Sequence, residues 1–265
     1  MKITIAGYGF VGQAYASLLH NVCEVTIVDP AYPEHNKEIP QDTDGIIVCV
    51  STPQDEDGSC NMSNVFDVIE HSPNVPILIK STISLAGWQG IQNCFVVGVR
   101  NSQAICFSPE FLRAKTAWQD LLDSTEIYIG GNNISFWEKI FKKCYAHDIK
   151  VLTMSVEELI LIKYFRNSFL ATKVSFFNQI YDLCEATGID YNNVKEGIGM
   201  DERIGISHTD VNTMRGYGGH CFPKDVQAIL ETAKANNVDL SLIEQSQQYN
   251  TTVRKEIWSV WRLSP

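Results

Sequence analysis

One of the eight cysteines, Cys221, stands in a sequence context that suits a reactive thiol. It ends the glycine-rich stretch 215–221, and Pro223, a residue favoured in the first turn of a helix, comes two positions later. A thiol near a helix N-terminus and beside Lys224 is placed to act as a nucleophile. The alternative is a cysteine packed beneath a loop, which is our interpretation of the other seven.

A lysine–asparagine pair and one glutamate are further candidates for chemistry. Lys163 and Asn167 stand four residues apart in an apolar helical pattern, so they share one helix face. This spacing favours a polar pair that faces a site, although a lysine among apolar residues commonly extends its ammonium group to solvent. Glu110 follows a strand end, where ligand crevices of α/β folds form, but alone it would be typical of a solvated loop acid.

A glycine-rich turn near the N-terminus predicts a dinucleotide site. The loop 7–12 reads G-x-G-x-x-G, follows a short apolar strand pattern and opens a helical one. Gly7 permits the tight turn, Gly9 lets the backbone approach a pyrophosphate, and Gly12 allows close helix–strand packing. Asp29, at the end of the next strand, is placed to accept hydrogen bonds from a ribose, which favours NAD over NADP. The alternatives are a methyltransferase-like turn and a purely structural one. The predicted cofactor contacts are Gly7, Tyr8, Gly9, Phe10, Val11, Gly12 and Asp29.

Short apolar segments alternate with helical ones over the first half of the chain. Such alternation predicts an α/β fold with a mostly parallel, Rossmann-like sheet. Residues 30–44 are polar and contain three prolines, so we expect a loop there. The predicted strands are 2–6, 24–28, 45–50, 77–79, 94–99, 104–107, 127–129 and 151–153, and a helix is expected at 137–147.

The character of the sequence changes near residue 154. Ser155 and Glu158 have the spacing of a capping box, and a periodic apolar pattern then runs to about residue 187 without proline or glycine. So long a helix usually joins domains or forms a dimer seam. Further helices are predicted at 192–197, 224–236 and 242–261. We therefore predict two domains: an NAD-binding domain, 1–153, and an all-α domain with the cysteine, 154–265.

Composition excludes several classes of partner. Of the 265 residues, 45% are hydrophobic, and 31 acidic against 21 basic residues give a net charge of −10. An acidic chain is a poor partner for nucleic acid or an anionic membrane, since both need clustered Lys and Arg. The cysteines include no C-x-x-C pair, so neither a disulfide nor a metal framework is expected. We find no secretory leader and no apolar span, and expect a cytoplasmic protein.

Seven motifs, taken in order, resemble the UDP-glucose/GDP-mannose dehydrogenase family, the nucleotide-sugar 6-dehydrogenases. The ten-residue cysteine motif is the most specific of them, and together they cover nearly the whole chain. The Ser-Pro-Glu-Phe-Leu form looks more like the UDP-glucose branch, although the GDP-mannose branch is similar here. The matching segments are 7–12, 51–53, 80–82, 108–113, 163–167, 201–205 and 216–225.

The resemblance implies a four-electron oxidation of UDP-glucose to UDP-glucuronate. A first hydride passes from sugar C6 to NAD and leaves an aldehyde. Cys221 adds to the aldehyde as a thiohemiacetal, a second hydride transfer gives a thioester, and water releases the carboxylate. The alternatives are oxidation of GDP-mannose or another nucleotide sugar, and a degenerate NAD-binding partner protein without independent activity. A hydroxyacid dehydrogenase with a similar long helix would lack the cysteine motif.

The resemblance also implies roles for individual residues. Lys163 and Asn167 would stabilise an oxyanion, as a positioned charge and donor should. Asp225 would help to position or activate water together with Thr82 and Glu110. Thr52, Thr82 and Lys224 would approach the cofactor. The implied substrate contacts are Glu110, Phe111, Leu112, Arg113, Lys163, Asn167, Arg203 and Gly218.

The family plan also sets expectations about assembly and size. Arg203 matches an arginine that reaches the sugar nucleotide of a neighbouring subunit, so we expect a homodimer through the long helix. Residues 30–44 leave no room for a helix and strand that the family places there. The chain ends where the family continues into a third domain that holds the substrate's nucleotide. We therefore expect a short form without the C-terminal UDP-binding domain.

Overall fold

A computed structural model describes residues 1–35, 38–96 and 105–255, without the side chains of residues 94–96. The chain forms two compact units, Met1–Lys163 and Tyr164–Pro265. The division predicted from the sequence, 1–153 and 154–265, stays a prediction. None of the described helices combines the length and the apolar character that crossing a membrane requires.

The first unit is built around a mixed but mostly parallel sheet. Its described strands run in the order β2-β1-β3-β4-β5-β6-β7. The first five are parallel to one another, β6 is antiparallel to β5, and β7 is parallel to β6. This confirms the predicted α/β class. The elements are β1 Lys2–Ala6, α1 Phe10–Leu19, β2 Glu24–Val28, β3 Gly45–Val48, α2 Ser63–His71, β4 Ile77–Ile79, α3 Leu85–Val96, β5 Ile105–Phe107, α4 Ala117–Leu122, β6 Glu126–Gly131, α5 Ile134–Cys144 and β7 Lys150–Thr153.

The apolar strands form the core of this unit and set the position of the loops. Ile5, Ile47 and Leu78 in the central strands are fully buried, as expected for a parallel sheet covered on both faces. Trp137 and Phe141 of α5 pack in the same core. Because β1, β3, β4 and β5 are parallel, their carboxyl ends lie at one edge of the sheet. The predicted site segments after these strands therefore share that edge.

One predicted strand is wrong. Residues 94–96 end helix α3, and residues 97–99 lie outside the described residues. A short apolar run does not distinguish a strand from a buried helix segment. Here Trp88 and Ile91, both buried, lie three positions apart and supply the inward face of a helix that starts at Leu85. The helices α2, α3 and α4 were not predicted from the sequence.

The segment between β2 and β3 has no helix or strand in residues 30–35 and 38–44. This agrees with the loop that its prolines predict. In the sheet, β3 pairs directly with β1, and β2 lies on the other side of β1. The strand order therefore reverses between β1 and β3, which is where ligands bind in open α/β sheets.

The described part of the second unit is helical. Helix α6, Val156–Thr187, begins in the first unit and continues into the second, and its 32 residues confirm the predicted long helix. The predicted capping box is also present: the Glu158 carboxylate accepts from the Ser155 amide at 2.8 Å, and the Ser155 hydroxyl oxygen accepts from the Glu158 amide at 3.2 Å. The remaining helices described are α7 Tyr191–Gly199, α8 Phe222–Ala235 and α9 Ser241–Val253. The helix predicted at 242–261 thus ends earlier, at Val253, and its last six predicted residues, 256–261, lie outside the described residues.

Candidate active site

The loop 7–12 joins β1 to α1, and two of its glycines are required by close backbone contacts. Gly7 has φ +95°, and a Cβ there would lie 2.6 Å from the carbonyl carbon of Cys49. A Cβ on Gly12 would lie 2.1 Å from the Gly7 carbonyl oxygen. Gly9 differs, since no atom of the described residues lies within 4 Å of its Cβ position. Backbone atoms therefore leave no space for a side chain at Gly7 and Gly12, whereas the described residues leave space at Gly9.

The open side of this loop suits a pyrophosphate. Gly9 is the N-cap of α1, and no side chain in the described part of the chain caps the helix there. The first-turn N–H groups are thus available to an anion, which the helix dipole also favours. Phe10 at the helix start is exposed, whereas Val11 packs against the core.

Asp29 is held against the same loop. Its Oδ2 accepts from the Tyr8 amide at 2.7 Å, and its Oδ1 accepts from the Ala31 amide at 2.9 Å. A carboxylate oxygen has a second lone pair, so each oxygen can also accept from a ribose hydroxyl. Together with the open Gly9, this donor and acceptor set fits a dinucleotide.

Thr52 and Thr82 follow β3 and β4 at the same sheet edge. Thr52 is buried and Thr82 is half-buried, with the Thr82 carbonyl accepting from the Cys60 thiol at 3.6 Å. The hydroxyl of Ser81 donates to the Val50 carbonyl at 2.7 Å, which ties the two segments together. Thr52 follows the strand next to β1, and Thr82 follows the strand after that, so both lie at the sheet edge that carries the loop 7–12. Their contact with the cofactor stays a prediction.

A charged group after β5 centres on Glu110. We call Tyr15, Lys80, Ser108, Glu110 and Lys163 the Glu110 cluster. Glu110 Oε1 forms an ion pair with the buried Lys80 ammonium and accepts from the Tyr15 hydroxyl at 2.7 Å. Lys80 also donates to Ser108 Oγ at 2.8 Å. Burial and the negative charge of Glu110 raise the pKa of Tyr15 well above its usual range, so the phenol stays protonated and donates.

Lys163 joins the Glu110 cluster through the backbone. Its ammonium group donates to the Glu110 carbonyl and lies 5.5 Å from the centre of the Phe111 ring. This lysine therefore bonds to the protein instead of extending to solvent. Phe111 itself meets the Tyr128 ring edge-on at 5.7 Å, and Leu112 packs against the core.

Arg113 is the one predicted contact of this segment that lies mostly in solvent, with a side chain 73% exposed. It pairs with Asp120, with Nη2 2.5 Å from Oδ1 and Nε 3.1 Å from Oδ2. These hydrogen bonds hold the pKa of Asp120 at about 2. Arg113 therefore has a structural partner in addition to its predicted substrate role.

A second group of predicted residues lies at the start of α8. We call Asn167, Cys221, Lys224 and Asp225 the Asp225 cluster. Asp225 is 1% exposed; its Oδ2 accepts from the Asn167 amide at 2.5 Å and its Oδ1 from Lys224 at 2.6 Å. Cys221 is the N-cap of α8, and its carbonyl accepts from the Asp225 amide at 2.9 Å. The structure thus places Cys221, Lys224 and Asp225 at the start of one helix, with Asn167 bonded to Asp225, and Cys221 joins them through its backbone carbonyl.

Two asparagines that sequence reasoning missed hold the loop 215–221. Asn178 of α6 accepts from Arg215 Nε at 2.9 Å and from the Gly216 amide at 3.0 Å. Asn250 of α9 accepts from the Tyr217 amide at 2.7 Å and donates to the Tyr217 carbonyl at 3.0 Å. Both asparagines are buried, and the only sequence signal is an amide in a helical pattern.

The last two predicted substrate contacts have different surroundings. A Cβ on Gly218 would lie 2.2 Å from Arg254 Nη2, so a larger residue here would require the guanidinium group at the end of that flexible side chain to shift. Arg203 is 88% exposed and bonds to its neighbour Asp201, with Nη2 2.5 Å from Oδ2. Within the described residues, no three His, Cys, Asp or Glu side chains lie together as metal ligands would.

The models of two domains of one protein family match this chain. Residues 31–148 match the NAD binding domain of the UDP-glucose/GDP-mannose dehydrogenase family, and residues 157–252 match the central domain of the same family. The first match confirms the predicted cofactor, NAD. The loop 7–12 and Asp29 lie before the matched residues, so their individual roles stay predictions.

Known proteins are similar to this chain over most of its length. The UDP-glucose 6-dehydrogenase of Rickettsia bellii is 35% identical over 223 residues, which are 79% of this chain and 49% of that protein. The UDP-glucose 6-dehydrogenase of Pseudomonas aeruginosa is 31% identical over 223 residues, again 79% of this chain and 49% of that protein. The chain thus spans about half the length of the curated relatives it matches.

A solved structure extends the likeness to the fold. The UDP-glucose dehydrogenase from Pyrobaculum islandicum superposes with a TM-score of 0.81 and 25% identity, covering 95% of this chain and 68% of that one. The same α/β sheet followed by a long helix is found in both. With both matched domains drawn from one family, the chain belongs to the UDP-glucose/GDP-mannose dehydrogenase family.

Proposed function

We propose that this protein oxidises the C6 alcohol of a nucleotide sugar to a carboxylate, with UDP-glucose as the favoured substrate and UDP-glucuronate as product. The observation that carries this proposal is the Asp225 cluster, in which Cys221 begins a helix with Lys224 and Asp225 in its first turn. A thiol at a helix N-terminus next to a cation is a suitable covalent nucleophile. The names of the relatives support UDP-glucose among nucleotide sugars.

NAD would be held by the loop 7–12, Asp29, Thr52 and Thr82. The uncapped start of α1 and the open Gly9 suit the pyrophosphate, and Asp29 suits the ribose hydroxyls. When bound, NAD would supply the hydride acceptor for both oxidations at sugar C6. Lys224 would lie near the cofactor, as the family resemblance implies.

The chain's own residues would perform the covalent steps. The Cys221 sulfur adds to the C6 aldehyde, and the carbonyl oxygen becomes an oxyanion. Lys163 supplies positive charge to this oxyanion, and Asn167 supplies an amide hydrogen beyond the one bonded to Asp225. After the second oxidation, water attacks the thioester carbon. The C–S bond breaks with its electrons on sulfur, while Glu110, Thr82 and Asp225 orient the water and take its proton.

The test is the stoichiometry of NADH formation. We expect two NADH per UDP-glucose, and complete turnover to be lost in Cys221→Ala. The matched control is Cys184→Ala, since Cys184 is a buried cysteine in the apolar core of the same unit and should leave the stoichiometry at two. GDP-mannose and UDP-N-acetylmannosamine serve as competing substrates.

Other results would change the assignment. Oxidation of GDP-mannose alone would change the assigned substrate and leave the proposed oxidation of a C6 alcohol to a carboxylate in place. Measurable NAD binding without NADH from any nucleotide sugar would contradict the proposal and favour an NAD-binding partner protein without independent activity. The cytoplasmic location inferred from the sequence stays a prediction.

We also propose a homodimer through α6. Phe169, Phe176 and Leu183 recur every seven residues along this helix and are 69%, 56% and 66% exposed. A heptad-spaced apolar stripe is typical of a helix–helix seam. Light scattering should give twice the chain mass for the wild type and the chain mass for Phe169→Asp/Phe176→Asp. A monomeric wild type would contradict the dimer and would leave the expected role of Arg203 across subunits without support.

A further inference from the structure

One carboxylate of the first unit, Glu110, is held asymmetrically. Its Oε1 receives both the Lys80 ion pair and the Tyr15 hydroxyl, at 2.7 Å for the hydroxyl. No described residue donates a hydrogen bond to Oε2. A carboxylate can turn about its Cγ–Cδ bond, so two donors on one oxygen decide which oxygen is left for other partners.

Tyr15 is rigidly placed to make this bond. It is 1% exposed in the core face of α1, and its ring meets Phe141 edge-on at 6.1 Å. The Lys80 ammonium lies 4.8 Å from the centre of the Tyr15 ring, and Lys80 is itself anchored to Ser108. Cation, phenol and carboxylate thus support one another in a buried setting, where hydrogen bonds to charged groups are strong.

We propose that Tyr15 is a positioning residue that fixes the Glu110 carboxylate and leaves Oε2 to accept from the water that hydrolyses the thioester. This inference rests on the proposed function. In that step the water oxygen bonds to the thioester carbon, and the C–S bond breaks with its electron pair on the Cys221 sulfur. One water proton passes to Oε2, and the second is released when the product acid ionises.

The role predicts which step suffers when the hydroxyl is removed. Hydride transfer does not need Oε2, whereas hydrolysis does. In Tyr15→Phe we expect the first NADH to form within twofold of the wild-type rate, and the steady-state kcat to fall about tenfold with KM for the nucleotide sugar unchanged. The covalent adduct on Cys221 should accumulate, seen by intact-protein mass spectrometry after mixing with UDP-glucose and NAD.

Tyr145→Phe is the matched control. Tyr145 lies in the same apolar core, is 8% exposed, and its hydroxyl has no hydrogen-bond partner among the described residues. Removing this hydroxyl should change neither phase of the reaction. An equal loss in both phases of Tyr15→Phe, a change in KM alone or no change at all would overturn the positioning role.

A stability measurement separates this inference from the proposed function. Tyr15→Phe, Glu110→Gln and the double variant form a cycle that needs no substrate. If the two groups are coupled, the shift in urea midpoint of the double variant should differ from the sum of the shifts of the two single variants. A double-variant shift equal to that sum would overturn the inference. A wild type inactive on every nucleotide sugar would contradict the proposed function and the water role, while the cycle would still decide whether Tyr15 fixes Glu110.

Discussion

The two glycine-rich loops of the molecule are held in different ways. The loop 7–12 is held chiefly by backbone groups of neighbouring strands: the Gly7 amide donates to the Val28 carbonyl at 2.9 Å, and Gly7 packs on the backbone of Cys49. The Asp29 carboxylate at the end of β2 adds a side-chain bond by accepting from the Tyr8 amide at 2.7 Å. The loop 215–221 is held by side chains, the amides of Asn178 and Asn250. A sheet supports the first loop, and individual residues of α6 and α9 support the second.

This difference predicts which kind of substitution would destabilise each loop. Backbone support depends on the space that a glycine leaves, so a methyl group is the damaging change there. Side-chain support depends on single amides 33 to 38 residues away in sequence, so truncating an amide is the damaging change there. The following predictions test this contrast.

The largest effect is expected for Gly7→Ala. The new Cβ would meet the Cys49 backbone at 2.6 Å, and alanine is strained at φ +95°. Overpacking and strain together should lower the free energy of unfolding by about 4 kcal/mol. Urea unfolding measures it. Gly197→Ala is the control, since Gly197 lies in helix α7 with no atom within 4 Å of its Cβ position and should be neutral or slightly stabilising. A Gly7→Ala protein as stable as wild type would remove the basis for the contrast.

Asn250→Ala comes next. It would leave the buried amide and carbonyl of Tyr217 without partners, at a cost of about 2–3 kcal/mol in the free energy of unfolding. Hydrogen exchange at the Tyr217 amide should rise with it. The control is Gln248→Ala on the exposed side of the same helix, which should change stability by less than about 0.5 kcal/mol. Unchanged exchange at Tyr217 would show that the loop is not held by this amide.

Gly9→Ala separates folding from binding within the loop 7–12. Because no described residue has an atom within 4 Å of the Cβ position, the free energy of unfolding should fall by less than about 1 kcal/mol, the usual cost of alanine at an N-cap. A methyl group would meet the pyrophosphate, so the Kd for NAD should rise about tenfold or more. Calorimetric titration of NAD measures it. Unchanged NAD affinity would contradict the place assigned to the pyrophosphate.

The smallest effects concern pH, and they differ between the two units. Hydrogen bonds from Arg113 hold the Asp120 pKa at about 2, below its ordinary 3.8. The stability from this group is therefore present above pH 4 and lost as pH falls through 2. In the second unit, burial and the bond to Asp182 raise the Tyr249 pKa to about 12 from 10.0. That stability is present below pH 10 and lost as pH rises through 12.

One variant in each unit tests these pH dependences, which form the acid limb and the alkaline limb of a plot of urea midpoint against pH. Asp120→Asn should flatten the acid limb of the urea midpoint and leave the alkaline limb as in wild type. Tyr249→Phe should do the reverse. If either variant changed both limbs equally, the two groups would not act independently in their own units.

The elements closest to the site followed from local pattern. The capping box at Ser155 and the uninterrupted apolar period predicted α6, and strand–glycine–helix order predicted the loop 7–12. The strand predicted at 94–99 failed because residues 94–96 end helix α3. Periodicity over so few residues fits either element, and only packing decides between them.

Within the site, the sequence by itself determined which side chains follow which strand ends, and that Cys221, Lys224 and Asp225 share a helix start. These relations depend on residues within one turn or one strand. Only the tertiary structure decided that Tyr15 bonds to Glu110 across 95 residues and that Asn178 and Asn250 hold the loop 215–221. Such pairs form because packing of distant elements buries the paired atoms and removes the water that they would otherwise bond to.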